Sequence, residues 1–278
     1  MNLPLLRETE KFPFAAAFFA SVIVSVSRFP SFVCLWSVPD DLRVRTNQDI
    51  ISPSLQFFSL PEQWQIHYGS LTFNLKPFNF KHTGLFPEQA TNWDWFSEKI
   101  KKAGRSVKVL NLFAYTGGAT LAAAAAGAQV THVDASKGMV TWAKENALSS
   151  GLKDAPIRWL VDDCVKFVER EIRRGNTYDA IIMDPPSYGR GPKGEIWKIE
   201  DMIHPLIQLC TKILSKDALF FLVNSYTTGL APAVLTYMLA TELKPWNGKV
   251  ESQEIGLPVK NTGLVLPCGA SGRWESCN

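Results

Sequence analysis

From residue 107 onward, short apolar runs alternate with segments whose apolar residues recur at helical spacing. Runs that are rich in β-branched residues and bounded by turn signals predict buried strands. Five such runs occupy residues 107–113, 129–134, 156–163, 178–184 and 218–225. The tail, residues 248–275, has no helical period and predicts two closing strands.

A helical segment follows each of the five runs, at residues 117–128, 136–151, 164–175, 200–214 and 231–243. Gly151 and Gly175 are placed to end two of these helices, as glycine commonly does. Strands that alternate with helices imply right-handed crossovers and a parallel sheet covered on both faces. The sequence therefore predicts an α/β fold: a doubly wound, mostly parallel, seven-stranded Rossmann-like sheet with a small N-terminal β/α extension.

The chain is predicted to have three regions. Residues 61–104 combine a strand-like stretch (64–80) with a helix (87–104), ahead of a core at 105–278. Residues 1–60 form an apolar N-terminal extension that ends near the polar stretch 40–56.

The apolar extension does not have the features of a membrane or targeting segment. Its uninterrupted apolar core, residues 14–26, is 13 residues long, whereas a bilayer-spanning helix needs about 20. Glu8 and Glu10 are unlike the acid-poor leader of a targeting peptide. We therefore expect no membrane insertion and a cytoplasmic protein.

Composition adds three constraints. The chain has 278 residues, of which 46% are hydrophobic and 12% aromatic, enough for a sizeable core. A net charge of +3 is too small to indicate nucleic-acid binding by itself. The five cysteines include no C-x-x-C pair, which predicts reduced thiols and no zinc site.

Acidic residues follow three successive strands, and a glycine turn follows the first. Tyr115, Thr116, Gly117 and Gly118 come after the first strand, Asp134 after the second, Asp162 and Asp163 after the third, and Asp184 after the fourth. In an open parallel sheet, ligands bind outside the carboxyl ends of the strands. These residues are therefore the candidates for a cofactor site.

Two cofactor classes fit acids at these positions. A nicotinamide dinucleotide calls for G-x-G-x-x-G, and the adjacent Gly117 and Gly118 do not have that spacing. S-adenosylmethionine has no pyrophosphate but has the same ribose, which Asp134 suits, and an adenine edge, which Asp162 or Asp163 suits. The methionine end would lie near the glycine turn. The residues favour S-adenosylmethionine over a dinucleotide.

The blocks VLNLFAYTGGAT, HVDASKGMV, DPPSYGRG and GLVLPCGASGRW occur in this order along the chain. Together they resemble the class I S-adenosylmethionine-dependent methyltransferases, a family that includes the bacterial 23S ribosomal RNA large-subunit base methyltransferases. The resemblance covers about residues 62–275. It implies S-adenosylmethionine as cofactor, with Ser136 of the second block in the cofactor set.

By the same resemblance, residues 83–93 (TGLFPEQATNW) correspond to a segment that closes over the cofactor, with Gln89 as its polar residue. An ordinary polar position at a helix N-terminus is the alternative for Gln89.

By the same resemblance, the motif Asp184-Pro185-Pro186 is expected to lie where the methyl donor and the acceptor meet. In methyltransferases of this class the aromatic residue after this motif stacks on a nucleobase, a contact that every base permits. Here Ser187 intervenes before Tyr188. Asp184, Pro185, Pro186 and Tyr188 are the predicted catalytic residues. Arg190, Lys193 and Lys198 are candidates for phosphate contacts, with a solvated loop as the alternative.

Transfer to C5 of cytosine needs a thiolate nucleophile. In the relatives with this chemistry a cysteine follows strand five, where this chain has Asn224, Ser225 and Tyr226. Cys164 is expected to be packed, and Cys268 is a weak candidate for the nucleophile. Direct transfer to nitrogen or oxygen needs no such group.

The resemblance predicts an enzyme that methylates a base in RNA, and ribosomal RNA is the first candidate for the substrate. Two alternatives remain open from the sequence. One is a methyltransferase for a small molecule or a protein, and the other is a non-catalytic domain that binds S-adenosylmethionine. Residues 1–60 are too short and apolar to replace the RNA-binding domain that often precedes this core in the ribosomal relatives.

Overall fold

The computed structural model describes residues 36–37, 61–77, 82–190 and 196–277. Its main sheet has seven strands: β4 (Lys108–Leu112), β5 (Gln129–Asp134), β6 (Ile157–Val161), β7 (Ala180–Met183), β10 (Phe220–Ser225), β11 (Gly248–Pro258) and β12 (Val265–Ser276). Three short strands precede them: β1 (Trp36–Ser37), β2 (Trp64–Tyr68) and β3 (Leu71–Leu75). A separate two-stranded hairpin consists of β8 (Tyr188–Arg190) and β9 (Ile196–Lys198).

Six α-helices are described: α1 (Ala90–Lys102), α2 (Gly118–Ala125), α3 (Lys137–Ser149), α4 (Cys164–Arg174), α5 (Ile199–Thr211) and α6 (Pro232–Glu242). Their ends follow from local chemistry. The Ser136 hydroxyl accepts from the backbone at the start of α3, the Asp163 carboxylate does the same for α4, and Gly175 ends α4 in the left-handed region. No helix within the described ranges is both long and apolar enough to cross a membrane.

The strand order in the sheet is β11-β12-β10-β7-β4-β5-β6. All neighbours from β10 to β6 run parallel, and β12 is antiparallel to both β10 and β11. The chain winds outward from β4 to β6 in one direction and from β7 to β11 in the other. The order therefore reverses beside β4, which places a crevice at the carboxyl ends of β4 and β7.

The two faces of the sheet bury two separate cores. Alternate residues of each strand point to opposite faces: on β10, Phe221 and Val223 pack with α4, α5 and α6, whereas Phe220 and Leu222 pack with α1 and α2. Phe96 of α1 stacks on Phe220, with ring centroids 5.8 Å apart. The predicted doubly wound α/β sheet with helices on both faces is confirmed.

The segment ahead of the core is a hairpin that docks on α3. The stretch 64–80 was expected to be one strand-like run, but Gly69, at φ 56°, turns the chain between β2 and β3. The backbone N–H of Asn74 donates to the Asn146 side chain at 2.8 Å, and the indole of Trp142 donates to the Asn74 carbonyl at 2.7 Å. β1 pairs with β2. The remainder of residues 1–60 and 78–81 lies outside the described residues, and the three-region division stays a prediction.

Gly118 begins α2 where the ring of Trp93 lies against the backbone. A Cβ atom on Gly118 would lie 2.6 Å from Cζ2 of Trp93, a side chain that is 4% exposed. The second glycine of the turn is therefore required by packing, whatever it contributes to the cofactor.

We expect Gly118→Ala to lower the free energy of unfolding by about 1–3 kcal/mol, because a buried indole must move to admit the methyl group. Gly138→Ala in α3 is the matched control. Its nearest neighbour would be the Ser136 hydroxyl at 3.8 Å, and alanine favours a helix by up to about 1 kcal/mol. Urea unfolding measures both. Equal stability of Gly118→Ala and wild type would contradict the packing argument.

Candidate functional site

The strand ends that the sequence singles out converge at the crevice beside β4. The backbone N–H of Asp184 lies 3.4 Å from the Leu112 carbonyl, and that of Asp162 lies 3.0 Å from the Asp134 carbonyl. Hydrogen bonds thus continue past the strands and hold β4, β5, β6 and β7 in register at their carboxyl ends. The acids after these strands share one edge of the sheet.

The loop after β4 adopts an unusual backbone. Tyr115 has φ 49° and Gly117 has φ 89°, both in the left-handed region. The Thr116 hydroxyl donates to the Gly84 carbonyl at 2.5 Å, and the Asn146 amide donates to the Thr116 carbonyl at 2.9 Å. These contacts tie the loop to the segment before α1 and to α3, so the turn is fixed in advance of ligand binding.

Asp134 supports this loop. One carboxylate oxygen accepts from the backbone N–H of Tyr115 at 2.9 Å, and the other accepts from the backbone N–H of Ser136 at 2.8 Å. Burial raises the pKa of Asp134, although these two backbone donors oppose the shift. The remaining lone pairs of the carboxylate suit the hydroxyl donors of a ribose.

Asp162 and Asp163 have different environments. The Asp163 carboxylate accepts from the backbone N–H of Lys166 at 2.9 Å as the N-cap of α4. Asp162 accepts from the backbone N–H of Asp163 and is paired with Arg170. The helix cap uses one oxygen of Asp163, whereas the backbone of Asp163 and the Arg170 guanidinium engage both oxygens of Asp162. Asp163 is therefore the better candidate for the adenine edge.

The Tyr115 hydroxyl is buried and has no hydrogen-bond partner among the described residues. Burial, with a contribution from Asp134, raises the pKa of Tyr115 to about 12. Its ring lies against Phe86, with centroids 5.7 Å apart. A buried hydroxyl without a partner is costly. This orphaned hydroxyl, beside a carboxylate and a glycine turn, fits a polar cofactor such as S-adenosylmethionine.

Residues 86–89 bring a second acid to the crevice. Glu88 is 4% exposed and is hydrogen-bonded to the phenol of Tyr226, which follows β10. The Gln89 amide donates to the same phenol oxygen at 2.6 Å. Phe86 packs on the Tyr226 ring, with centroids 5.5 Å apart. Gln89, which directly precedes α1, is therefore a buried residue that anchors Tyr226.

A buried polar network extends from Gln89 into the sheet. The Asn92 amide nitrogen lies 2.7 Å from the Gln89 oxygen, 3.1 Å from the Asn224 oxygen and 2.8 Å from the Ser271 hydroxyl. The guanidinium of Arg273 donates to the Asn92 oxygen at 2.6 and 2.8 Å. These bonds join the start of α1 to β10 and β12.

Asp184 is partly buried after β7, and Pro185 behind it is fully buried. Burial, with a smaller contribution from the charge of Glu88, raises the pKa of Asp184 to about 7. Burial likewise raises the pKa of Glu88. Two carboxyl groups therefore affect each other beside the Tyr226 phenol, which is the arrangement of a site that holds or moves a proton near neutral pH.

Tyr188 lies outside this group. It belongs to β8, and half of its surface is exposed. Its hydroxyl accepts from Nε of Arg190 at 2.9 Å. Lys193 lies outside the described residues. The structure thus brings together Gln89, Tyr115, Asp134 and Asp184, and it places Tyr188 on the adjoining hairpin.

Sequence reasoning did not select Glu88, Phe86, Tyr226 or Asn92. Tyr226 was noted only as standing near the position of a missing cysteine, although an aromatic residue directly after a buried strand is itself a signal. No sequence pattern pointed to Asn92, because its partners on β10 and β12 are 132 and 179 residues away.

The described cysteines are free thiols. Burial raises the pKa values of Cys164 and Cys210 and raises that of Cys268 to about 11. No described group of His, Cys, Asp and Glu side chains is arranged to hold a metal ion.

The raised pKa of Asp184 predicts a pH-dependent stability. Between about pH 4 and pH 7 the unfolded chain releases this proton and the folded chain retains it, so the free energy of unfolding falls as pH rises. We expect Asp184→Asn, which carries no charge at any pH, to gain stability relative to wild type between pH 4.5 and pH 8. The gain should be on the order of 1 kcal/mol.

Urea unfolding at the two pH values measures this gain. Asp154→Asn, at an exposed turn, is the control and should show no such trend. A constant difference between Asp184→Asn and wild type across this range would rule out a raised pKa.

Comparison with known proteins agrees with the fold. Among solved structures, an S-adenosylmethionine-dependent methyltransferase from Agrobacterium tumefaciens is 42% identical and superimposes with a TM-score of 0.74, covering 78% of this chain and 72% of that one.

Two curated relatives are both named ribosomal RNA large subunit methyltransferase K/L. The protein of Shewanella frigidimarina is 34% identical over 148 residues, which is 51% of this chain and 20% of the relative. The protein of Pseudoalteromonas atlantica is 31% identical over 161 residues, 57% of this chain and 22% of the relative. The chain thus spans about a fifth of the length of these relatives.

A family model described as S-adenosylmethionine-dependent methyltransferase matches residues 43–242. This match covers more than half of the chain and includes the loop after β4, Asp134 and the Asp-Pro-Pro motif. The chain therefore belongs to the S-adenosylmethionine-dependent methyltransferase family, whose cofactor is S-adenosylmethionine.

Proposed function

We propose that this protein transfers a methyl group from S-adenosylmethionine to a base in RNA, and to ribosomal RNA in particular. The observation that carries the proposal is the group formed by Glu88, Asp184 and Tyr226 at the end of the cofactor crevice. The names of the curated relatives, which are ribosomal RNA methyltransferases, support RNA as the acceptor. A cytoplasmic location is part of the proposal, and free thiols are compatible with it.

The cofactor side of the site is proposed to comprise Gln89, Tyr115, Thr116, Gly117, Gly118, Asp134, Ser136, Asp162, Asp163 and Asp184. Asp134 would hold the ribose hydroxyls, and the second oxygen of Asp163 would hold the adenine edge. Asp162 would act through its bond to the backbone of Asp163, and Ser136 through the helix that it caps. The turn at Gly117 would place the methionine end close to backbone N–H groups.

On the acceptor side, Asp184, Pro185, Pro186 and Tyr188 are the proposed residues. The bound cofactor supplies an electrophilic methyl group on a sulfonium. The protein would position the acceptor for attack on this methyl group. The rigid Pro185-Pro186 pair would fix the carbonyls beside Asp184, and the Asp184 carboxylate would accept a hydrogen bond from an acceptor amino group. A carboxyl group with a pKa near 7 can also take up the proton that such a group releases.

Transfer is proposed to be direct, without a covalent enzyme intermediate. A thiol nucleophile needs a lowered pKa, whereas the pKa of Cys268 is raised to about 11. Its sulfur lies 3.5 Å from the Leu266 carbonyl, and the negative charge of Glu88 adds to the effect of burial in raising the pKa of this thiol.

The assignment of the cofactor and the acceptor is tested by two linked measurements. We expect calorimetry to show binding of S-adenosylmethionine by wild type and a loss of at least about tenfold in affinity for Asp134→Ala, because the variant loses both the ribose acceptor and the support of the Tyr115 loop. Asp154→Ala is the matched control. Equal affinity of Asp134→Ala and wild type would contradict the cofactor site.

Methyl-labelled cofactor is then incubated with the protein and RNA from cells that lack the gene. We expect label in one nucleoside, identified by mass spectrometry. Label only in protein or in metabolites would refute the RNA acceptor, and cofactor binding without label in any of them would indicate a non-catalytic binding domain.

Cys268→Ala is expected to keep the full rate of RNA methylation, because its thiol is almost entirely protonated at neutral pH. The single-turnover rate of label transfer measures this. A drop of more than about a hundredfold, with unchanged cofactor affinity, would show that Cys268 is a nucleophile after all.

A further inference from the structure

The hairpin of β8 and β9 presents two different faces. Its exposure alternates along both strands: the outer residues of each strand are exposed and the central residue is half-buried. In the antiparallel register Tyr188 lies opposite Lys198, Arg190 lies opposite Ile196, and Gly189 lies opposite Trp197. The first two pairs therefore share the outer face, and the third pair faces the protein.

The inner face fixes the hairpin to the transfer end of the site. The Trp197 ring lies against Phe113 of the loop after β4, with centroids 5.2 Å apart. Its indole N–H donates to the Pro186 carbonyl at 2.7 Å. The hairpin is thus held directly by the second proline of the Asp-Pro-Pro motif.

Ser187 provides two further anchors at the base of the hairpin. Its carbonyl accepts from the backbone N–H of Ile199 at 3.1 Å, and its hydroxyl accepts from the Thr227 hydroxyl at 2.7 Å. Ser187 therefore faces the loop after β10, and strand alternation turns Tyr188 to the outside. The inserted serine explains why Tyr188 does not join Glu88 and Tyr226.

The outer face combines an aromatic ring with cations. Tyr188 is 50% exposed and Ile196 is 55% exposed. The Arg190 guanidinium lies 5.9 Å from the centre of the Tyr188 ring and donates to its hydroxyl, so arginine and ring form one unit. Lys198 adds a second positive charge across from Tyr188. In sequence, residues 188–198 contain three basic residues, Arg190, Lys193 and Lys198, and one acid, Glu195, so the hairpin carries a net positive charge.

We propose that this outer face binds a nucleotide next to the methylated base in a single-stranded RNA segment, with Tyr188 stacking on the neighbouring base and Arg190 and Lys198 contacting phosphates. This inference rests on the proposed function, since it takes RNA as the acceptor. It assigns Tyr188 to a base other than the one that is methylated.

The geometry favours this ligand over others. Tyr188 is four residues after Asp184, so their Cα atoms lie within about 14 Å, the reach of a few nucleotides. Single strands offer open base faces for stacking, which a duplex does not. A small, cationic patch with one exposed ring has the chemistry of a nucleotide site and lacks the area of a stable protein interface.

The experiment measures binding of a fluorescein-labelled eight-nucleotide oligoadenylate by fluorescence anisotropy, with the full chain and saturating S-adenosylhomocysteine. We expect Tyr188→Ala to weaken binding roughly tenfold, because one base loses its stacking partner, and Tyr188→Phe to stay within about twofold. Tyr237→Ala, which removes a tyrosine that is 72% exposed on α6, is the matched control and should bind as wild type does.

Salt dependence separates the charged contacts from the stacking contact. Arg190→Gln should reduce the slope of log affinity against log salt by about 0.7, the value for one phosphate contact on a single strand. Tyr188→Ala should leave this slope unchanged. The same oligonucleotide annealed to its complement should bind at least several-fold more weakly.

Each outcome decides a separate question. Wild-type affinity of Tyr188→Ala, or equal binding of the duplex, would overturn the proposal even if RNA methylation is observed. Failure of the wild type to bind or methylate any RNA, with intact cofactor binding, would instead refute the proposed acceptor. Calorimetry with S-adenosylmethionine verifies that each variant is folded.

Discussion

The site depends on the hydrogen bonds of one buried side chain, the amide of Asn92. Asn92 has no exposed surface, and its bonds join α1 to β10 and β12. A buried polar group that loses its partners costs about 1–3 kcal/mol, so these partners must remain in place together. The network holds residues 86–89 against the carboxyl ends of the strands. Asn92 also donates to Gln89, which in turn donates to Tyr226, so the same network supports the turn that carries Glu88 and Gln89.

Asp134 has the equivalent role on the other side of the crevice. Its carboxylate accepts from two backbone groups and so holds the left-handed turn at Tyr115, a conformation that costs about 1–3 kcal/mol in a residue with a side chain. The proposed cofactor side therefore consists of a fixed backbone supported by one buried acid. The Tyr115 hydroxyl, which has no hydrogen-bond partner among the described residues, fits a polar group of the proposed cofactor.

The Asp-Pro-Pro motif connects the two sides to the surface. The Pro186 carbonyl accepts a hydrogen bond from the indole of Trp197 in the hairpin. Asp184 interacts electrostatically with Glu88 and with Tyr226. A contact on the outer face of the hairpin therefore acts on a rigid element that also forms the wall of the proposed transfer site. In the proposed reaction, binding of a neighbouring nucleotide would orient the target base without movement of the proline wall.

The sequence by itself determined the fold class, the strand ends and the acids at those ends. Apolar periodicity and glycine positions are local properties of the chain, and the carboxyl ends of parallel strands must share one edge. Only the tertiary structure decided which side chains meet there. Tyr226 follows the segment that carries Glu88 and Asn92 by more than 100 residues, and strand alternation after Ser187 turned Tyr188 outward. These contacts and side-chain orientations depend on long-range packing and strand register, which no local sequence pattern encodes.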